Sequence, residues 1–499
     1  MDDNKTGWAA KAQFGVPGFD DILIGGLTRN RSYLMEGAPG SGKTTLALQF
    51  LLEGANAGEK GLYITLSETE QELLESAASH NWSISESIDI FELVPPENLL
   101  DEKQQQSLLY SSDLELGETT NRIFEAMERS KPSRVVLDSL SEIRLLAQNS
   151  LRYRRQILAL KHYFTQRDVT VLLLDDLTAD VLDKTVHSVA HGVIRLEEIS
   201  PEYGAERRRL RVLKYRGQGF RGGYHDFTIQ TGGLQVFPRL VASEYRARRE
   251  SFALSTDIAE LDKLMGGGIA SGSSTLIIGP AGTGKSFLVF QFIAAAIRRG
   301  ERAALFAFDE ELGLLFARSK GMGIDLESMR DSGNLMVAQV DAAEISPGEF
   351  AHRVRKTVEK DNIRTVVVDS LNGYRNSMPQ EQYLTLHLHE LLQYLNRVGA
   401  ATFLTVAQHG MVGDMKSPVD VTYLADTVIL LRYFEAFGKV RRAISMLKKR
   451  TGSHENTIRE FEITGKGLIV GPALENFQGV LRGVPEYVGD STSMKAEGS

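Results

Sequence analysis

The sequence predicts an α/β fold built twice in tandem, each copy a mainly parallel β-sheet flanked by helices and finished by late antiparallel strands. Three observations carry this expectation. A glycine-rich octapeptide recurs together with its surroundings, and short, nearly continuous apolar runs alternate with longer amphipathic stretches in both halves. The length of 499 residues exceeds what one hydrophobic core serves and suits two domains of about 200 to 250 residues.

The repeat sets the order of everything else. Gly37-Ala38-Pro39-Gly40-Ser41-Gly42-Lys43-Thr44 returns as Gly279-Pro280-Ala281-Gly282-Thr283-Gly284-Lys285-Ser286, with Lys43 and Lys285 separated by 242 residues. Upstream, Asp20 before Gly25-Gly26-Leu27 and Asp262 before Gly266-Gly267-Gly268-Ile269 keep the same 242. Downstream, Val135-Val136-Leu137-Asp138-Ser139 and Val366-Val367-Val368-Asp369-Ser370 stand 231 apart, and Lys214-Tyr215-Arg216 and Lys448-Lys449-Arg450 stand 234 apart. Retained order over this many landmarks is the mark of a duplicated domain.

The first domain is expected over residues 1–238, a polar linker made basic by Arg246, Arg248 and Arg249 over 239–254, and the second domain over 255–464. The stretch 465–499, rich in glycine and proline at first and polar at its end, reads as a partly mobile tail. Within the first half, Ser32–Glu36, Leu62–Leu66, Arg134–Asp138 and Val169–Leu174 read as strands covered on both faces. The closely spaced runs Val193–Leu196, Arg209–Lys214 and Phe227–Gln230 read as antiparallel additions.

Composition narrows the setting. A chain 42% hydrophobic and 24% charged is ordinary for a globular protein. The absence of cysteine removes disulfide frameworks, thiolate zinc sites and cysteine nucleophiles, and fits a reducing cytoplasm. The run Phe287–Ile297 is too short to span a bilayer, so no membrane insertion is expected. A formal net charge of −8 argues against a protein whose main task is coating nucleic acid.

A glycine-rich turn between a strand and a helix lets backbone N–H groups approach phosphate oxygens without steric obstruction. Gly40, Ser41, Gly42 and Lys43, and likewise Gly282, Thr283, Gly284 and Lys285, therefore read as two triphosphate cradles, with each lysine on the β- and γ-phosphates. The hydroxyls of Thr44 and Ser286 suit magnesium, and Asp138 and Asp369, each ending an apolar strand, suit the same ion through water. ATP and Mg2+ are the cofactors these motifs call for. Hydrolysis also needs a carboxylate to orient or deprotonate water, and strand ends at matching register offer Ser67-Glu68 and Asp309-Glu310. Lys214 with Arg216, and Lys448 with Arg450, stand two apart on a late strand in each half and so leave one face of it; so far from their own cradles, they read as reaching a neighbouring subunit's nucleotide.

Taken together, the double phosphate loop, the Glu-containing strand ends, the Asp-Ser pairs and the Lys-x-Arg pairs resemble the KaiC family from Phe14 to about Thr464, most closely through Lys448–His454 and Ile458–Phe461. The resemblance implies two RecA-like domains, a double-ring homohexamer with ATP between subunits, a slow ATPase in the first ring and a Ser/Thr autokinase in the second, in a signalling or timing role. It adds His454 to the nucleotide contacts, while Phe220 stands where the first domain's counterpart histidine would be. The family's phosphorylated Ser-Thr pair falls on Thr422-Tyr423. Where clock members carry adjacent glutamates, this chain has Ser67-Glu68 and Asp309-Glu310, which makes Glu68 and Glu310 the safer catalytic assignments. No partner-binding peptide of clock members is matched in the tail, so a non-clock bacterial homologue with a small regulatory or signalling protein as partner is the expectation. Two other readings compete: a RecA- or helicase-like DNA-dependent ATPase using Arg207, Arg208, Arg209 and Arg211 on phosphates, and a nucleotide-gated scaffold with vestigial hydrolysis.

Overall fold

A computed structural model of the chain describes residues 11–93, 108–177, 185–201, 203–245, 252–308, 310–376, 384–408, 423–465, 467–482 and 485–488. The chain divides into two compact units, Met1–Arg239 and Leu240–Ser499. Each is organised on one nine-stranded sheet.

The first sheet consists of β1 (Ser32–Gly37), β2 (Gly61–Thr65), β3 (Ile88–Glu92), β4 (Arg134–Asp138), β5 (Thr170–Asp176), β6 (Gly192–Ile199), β7 (Arg207–Tyr215), β8 (His225–Gln230) and β9 (Gly233–Phe237). The second consists of β10 (Ser274–Gly279), β11 (Ala303–Ala307), β12 (Leu335–Gln339), β13 (Thr365–Asp369), β14 (Ala401–Ala407), β15 (Thr427–Ala436), β16 (Lys439–Lys449), β17 (Ile458–Thr464) and β18 (Gly467–Ala473). Across the first sheet the order is β9-β8-β7-β6-β1-β5-β4-β2-β3, and the second repeats it strand for strand as β18-β17-β16-β15-β10-β14-β13-β11-β12. The duplication read in the sequence is thus a duplication of topology.

Period-two alternation explains why these runs form interior strands. In β1, Tyr33 and Met35 enter one apolar cluster with Phe14, Phe19 and Phe50, while Leu34 enters the opposite one with Ile64, Tyr153 and Phe164. In β10, Ile277 faces Phe290 and Phe316, whereas Leu276 and Ile278 face Phe350 and Leu392. A strand apolar on both faces must be covered on both, which the flanking helices do. Helices Lys43–Asn56 and Lys285–Arg298 follow the central strands directly and bury most of their length.

Two expectations are corrected. β6 is parallel to β1, through Leu34 opposite Val193 and Met35 opposite Ile194, and antiparallel only to β7. The connection from β5 to β6 contains the helix Thr185–Val189 and is long enough to cross back over the sheet, so β6 enters from the same end as β1. The second sheet also runs past the expected limit at Thr464: β18 pairs antiparallel with β17 through Ile463 opposite Leu468, and Leu468 and Val470 are buried in the core. Glycine in this stretch serves a tight hairpin, with Gly467 at φ 119°. The repeated Asp20 and Asp262 are structural: Asp20 accepts from the Phe14 and Gly15 amides at 3.0 and 3.1 Å, and Asp262 from the Thr256 amide at 2.8 Å.

One buried ionic group ties the first unit together. Arg134, 2% exposed at the start of β4, donates to Glu59 at 2.8 Å and to the carbonyls of Gln13 and Phe50 at 2.6 and 2.7 Å, with its guanidinium 4.7 Å from the centre of the Phe50 ring. Burial raises the Glu59 pKa, but the hydrogen bonds and charges of Arg29 and Arg134 outweigh it and hold the carboxyl down to about 2. Removing one partner of such a group strands the other, so Arg134→Met should destabilise the first unit by about 3 kcal/mol. Both tryptophans, Trp8 and Trp82, belong to that unit, so fluorescence-detected urea unfolding reads it selectively. Because the folded pKa of Glu59 lies below its ordinary 4.5, its stabilisation is present above that value and is lost as pH falls toward about 2. Glu59→Gln should flatten this acid dependence.

Candidate functional site

The phosphate-loop sequences occupy the ends of the central strands β1 and β10, and each turns directly into a helix of 14 residues. Gly40 and Gly42 have φ of 80° and 95°, and Gly282 and Gly284 have 75° and 103°, a left-handed backbone that L side chains rarely adopt. Space is also required. A Cβ on Gly42 would lie 2.7 Å from Ile229 Cδ1, and one on Gly284 would lie 2.4 Å from Ile463 Cδ1. Neither helix has a side-chain N-cap or an acidic residue in its first turn, so its leading N–H groups and positive dipole end are left for an anion. Lys43 and Lys285 are buried beneath the loops. Lys43 Nζ donates to the Gly37 and Ala38 carbonyls, both at 2.9 Å, and Lys285 Nζ to those of Gly279 and Pro280 at 2.9 and 2.7 Å. Ser41 and Thr283 are fully buried within the turns, the latter with its hydroxyl on the Pro280 carbonyl at 2.8 Å.

Around the first loop the acidic groups converge. Asp138 ends β4, and its carboxylate accepts from the Tyr63 hydroxyl at 2.6 Å. Burial raises the Asp138 pKa and repulsion from Asp176 adds to it, against the Tyr63 hydrogen bond and the charge of Lys43. Glu68 is fixed by its backbone, whose N–H donates to Thr65 Oγ at 2.9 Å and whose carbonyl accepts from that hydroxyl at 2.7 Å. Its pKa is raised, by burial first and then by Asp138, Glu72 and Asp176. A carboxyl group shifted in this direction is suited to proton transfer. Ser67 is exposed. Sequence reasoning missed two members of this group. Tyr63 lies inside an apolar strand and reads as core, and Asp176, which pairs with Lys43 at 2.7 Å, reads as one of two acids at a strand end.

The second loop keeps the frame and changes the supports. Asp369 accepts from the Thr405 hydroxyl on the neighbouring β14, because Leu305 occupies the position matching Tyr63. Glu310 pairs with Arg318. Ser286 begins the helix beside Lys285, half-buried. Asp309 and Thr422 lie outside the described residues, and Tyr423 is 54% exposed.

The late cation pairs bind backbone of their own unit. Lys214 donates to the carbonyls of His187 and Ala190, the latter at 2.8 Å, and Arg216 donates to that of Ser188 at 2.7 Å, around the helix Thr185–Val189. Lys448 donates to the Ala425 carbonyl at 2.7 Å, and Arg450 to that of Tyr423 at 3.3 Å, with the Asp426 carboxylate 3.7 Å away. Arg216 and Arg450 stand just beyond their strands rather than on them. His454 is half-buried, beside Gly266, and Phe220 packs against the first core. Within the arginine run on β7, Arg208 and Arg209 pair with Glu198 and Glu197 at 3.4 and 2.9 Å, and Arg209 and Arg211 lie over the Tyr224 ring. Among the described residues no helix is long and apolar enough to cross a membrane.

Two RecA-like domains, each with a glycine-rich phosphate loop and a buried lysine at the central strand and an aspartate ending the strand two places along, define a tandem P-loop nucleotide-binding protein. The family described as "ATPase: KaiC" matches residues 12–241 and again 254–475, and the chain belongs to it. Relatives span it end to end. The circadian clock protein KaiC3 of Synechocystis is 28% identical, covering 100% of this chain and 99% of that protein. The circadian clock oscillator protein KaiC of Prochlorococcus marinus subsp. pastoris is 29% identical over 98% and 97%, and that of Parasynechococcus marenigrum 28% over 96% and 93%.

Burial lowers the Lys285 pKa to about 8, with Asp369 opposing the shift. Above that pH the lysine must take up a proton before it can offer a positive charge to an anion. Magnesium-ATP affinity of the second site, measured in Lys43→Ala, should therefore fall by up to about tenfold per pH unit as pH rises through 8. Equilibrium dialysis between pH 7 and 9.5 checks this, and a flat profile would show that Lys285 keeps its charge.

Proposed function

We propose that this KaiC-family ATPase binds two molecules of magnesium-ATP per chain, one in each domain, and works as a homohexamer in which each nucleotide lies at a subunit interface. The observation that carries the reading is the same constellation of loop, buried lysine, hydroxyl and aspartate built twice on one topology. In the first domain Gly40 to Thr44 hold the triphosphate, Lys43 neutralises the β- and γ-phosphates, and Thr44 and Asp138 hold magnesium; Gly282 to Ser286 and Asp369 do the same in the second. Magnesium bound there neutralises charge on the phosphates. Glu68, its pKa raised, receives a proton from attacking water, and Glu310 is its second-domain counterpart once released from Arg318.

Lys214 and Arg216, with Lys448, Arg450 and His454, serve the neighbouring subunit's phosphates. The backbone bonds of the first four support this reading, because they hold the cations at the surface of each unit instead of over its own loop. In the second domain the γ-phosphoryl group is transferred to Thr422, with Tyr423 the lesser acceptor, and Asp309 or Glu310 takes the hydroxyl proton. Relatives named as circadian clock proteins support a timing or signalling role for this cytoplasmic protein. The carboxylate pairing of Arg208 and Arg209 offsets the charge that a DNA-dependent motor needs on that face.

Wild type is expected to bind two nucleotides per chain, and Lys43→Ala and Lys285→Ala one each; a wild-type stoichiometry of one defeats the two-site reading. Light scattering should find a hexamer in magnesium-ATP, because a ligand shared between subunits favours assembly by mass action. A monomer at micromolar concentration would remove the ring and the shared roles together. Hydrolysis should be indifferent to single-stranded DNA. Phosphopeptide mapping of wild type against Thr422→Ala, Tyr423→Phe and Glu310→Gln tests the transfer, which is wrong if label survives loss of both hydroxyls.

A further inference from the structure

The two loops are an internal control for one another. A lysine ammonium has three N–H donors. Lys43 spends all three within the protein, on the carbonyls of Gly37 and Ala38 and on Asp176 Oδ1 at 2.7 Å. Among the described residues Lys285 spends two, on the carbonyls of Gly279 and Pro280. The difference has one source. Gly37 lies opposite Asp176 in the β1–β5 ladder, and at the same register Gly279 lies opposite Ala407. A carboxylate is therefore carried onto the first lysine, and a methyl group stands in its place beside the second.

Asp176 is set to exchange partners. Its side chain is 28% exposed, so it has water to move into, and its backbone is held by the Ser141 hydroxyl, which accepts from the Asp176 N–H at 3.1 Å. It also lies close enough to Asp138 and Glu68 to repel both. The position on Lys43 is thus favoured while no phosphate is present, and contested as soon as one arrives.

We infer that Asp176 is a built-in competitor for the phosphate position on Lys43, which makes the first site bind ATP more weakly and release ADP faster than the second. Incoming phosphate takes the third donor of Lys43 and expels the carboxylate; after hydrolysis the carboxylate returns and displaces the product. Lys285 accepts phosphate with no such exchange. This rests on the reading that both loops hold nucleotide. Asp176 touches Lys43 and no reacting atom, so its role is positional.

The experiment swaps the residue between the copies in the full-length chain. First-site affinity for magnesium-ATP is measured by equilibrium dialysis in Lys285→Ala, with and without Asp176→Asn. Second-site affinity is measured in Lys43→Ala, with and without Ala407→Asp. Asp176→Asn should tighten the first site about tenfold, the scale of one charge-assisted hydrogen bond, and slow release of labelled ADP. Asp176→Glu should restore weak binding, and Ala407→Asp should weaken the second site by a similar factor. Tryptophan fluorescence reports whether the Asp176 variants are folded, and the Ala407→Asp arm stands if they are not. Unchanged or weaker binding in folded Asp176→Asn overturns the inference, as does an Ala407→Asp second site of undiminished affinity. Absence of any nucleotide at the first site in Lys285→Ala overturns the site itself.

Discussion

A lysine ammonium buried beneath a glycine turn is the constraint on which the rest of each unit depends. Lys43 and Lys285 are 7% and 9% exposed, and a charge so withdrawn from water must be hydrogen-bonded. The bonds come from two carbonyls at the end of the central strand, which requires the chain to fold back over them through residues at positive φ. That turn then points the leading N–H groups of a long helix at the same place. Strands parallel to the central one deliver Asp138, Asp176 and Asp369 to this edge, because parallel strands all end on one side of the sheet.

The copies agree where backbone geometry demands it and differ where only side chains are involved. Asp138 is held by Tyr63 from β2, the neighbour on one side, and Asp369 by Thr405 from β14, the neighbour on the other. The cation pairs show the same divergence. The Arg216 amide donates to His191 O at 3.0 Å, and the Arg450 amide to Asp426 O at 2.9 Å, so His191 and Asp426 are equivalent positions. Asp426 balances Arg450, whereas His191 has its pKa lowered by burial and by Arg31, Arg216 and Lys161 around it. Two regions with one backbone frame thus carry different electrostatics.

By itself the sequence determined the α/β class, the duplication and the glycine-rich loops at the ends of the central strands. Each of these is a local pattern: glycine spacing, a lysine at a set offset, or a strand apolar on both faces, and chemistry of that kind needs no knowledge of distant neighbours. The place of Glu68 just past a strand end also followed, because that strand end repeats in register. The direction of β6 and the extent of the second sheet past Thr464 were decided only in the tertiary structure. A short strand after a long connection carries no local mark of which neighbour it joins, and a glycine-rich hairpin reads as tail until Leu468 and Val470 are seen in the core. The roles of Tyr63, Thr405 and Asp176 were likewise decided by strand register. Each meets its partner across 75, 36 or 133 residues of chain, and such contacts arise from which strands lie side by side rather than from any spacing along the sequence.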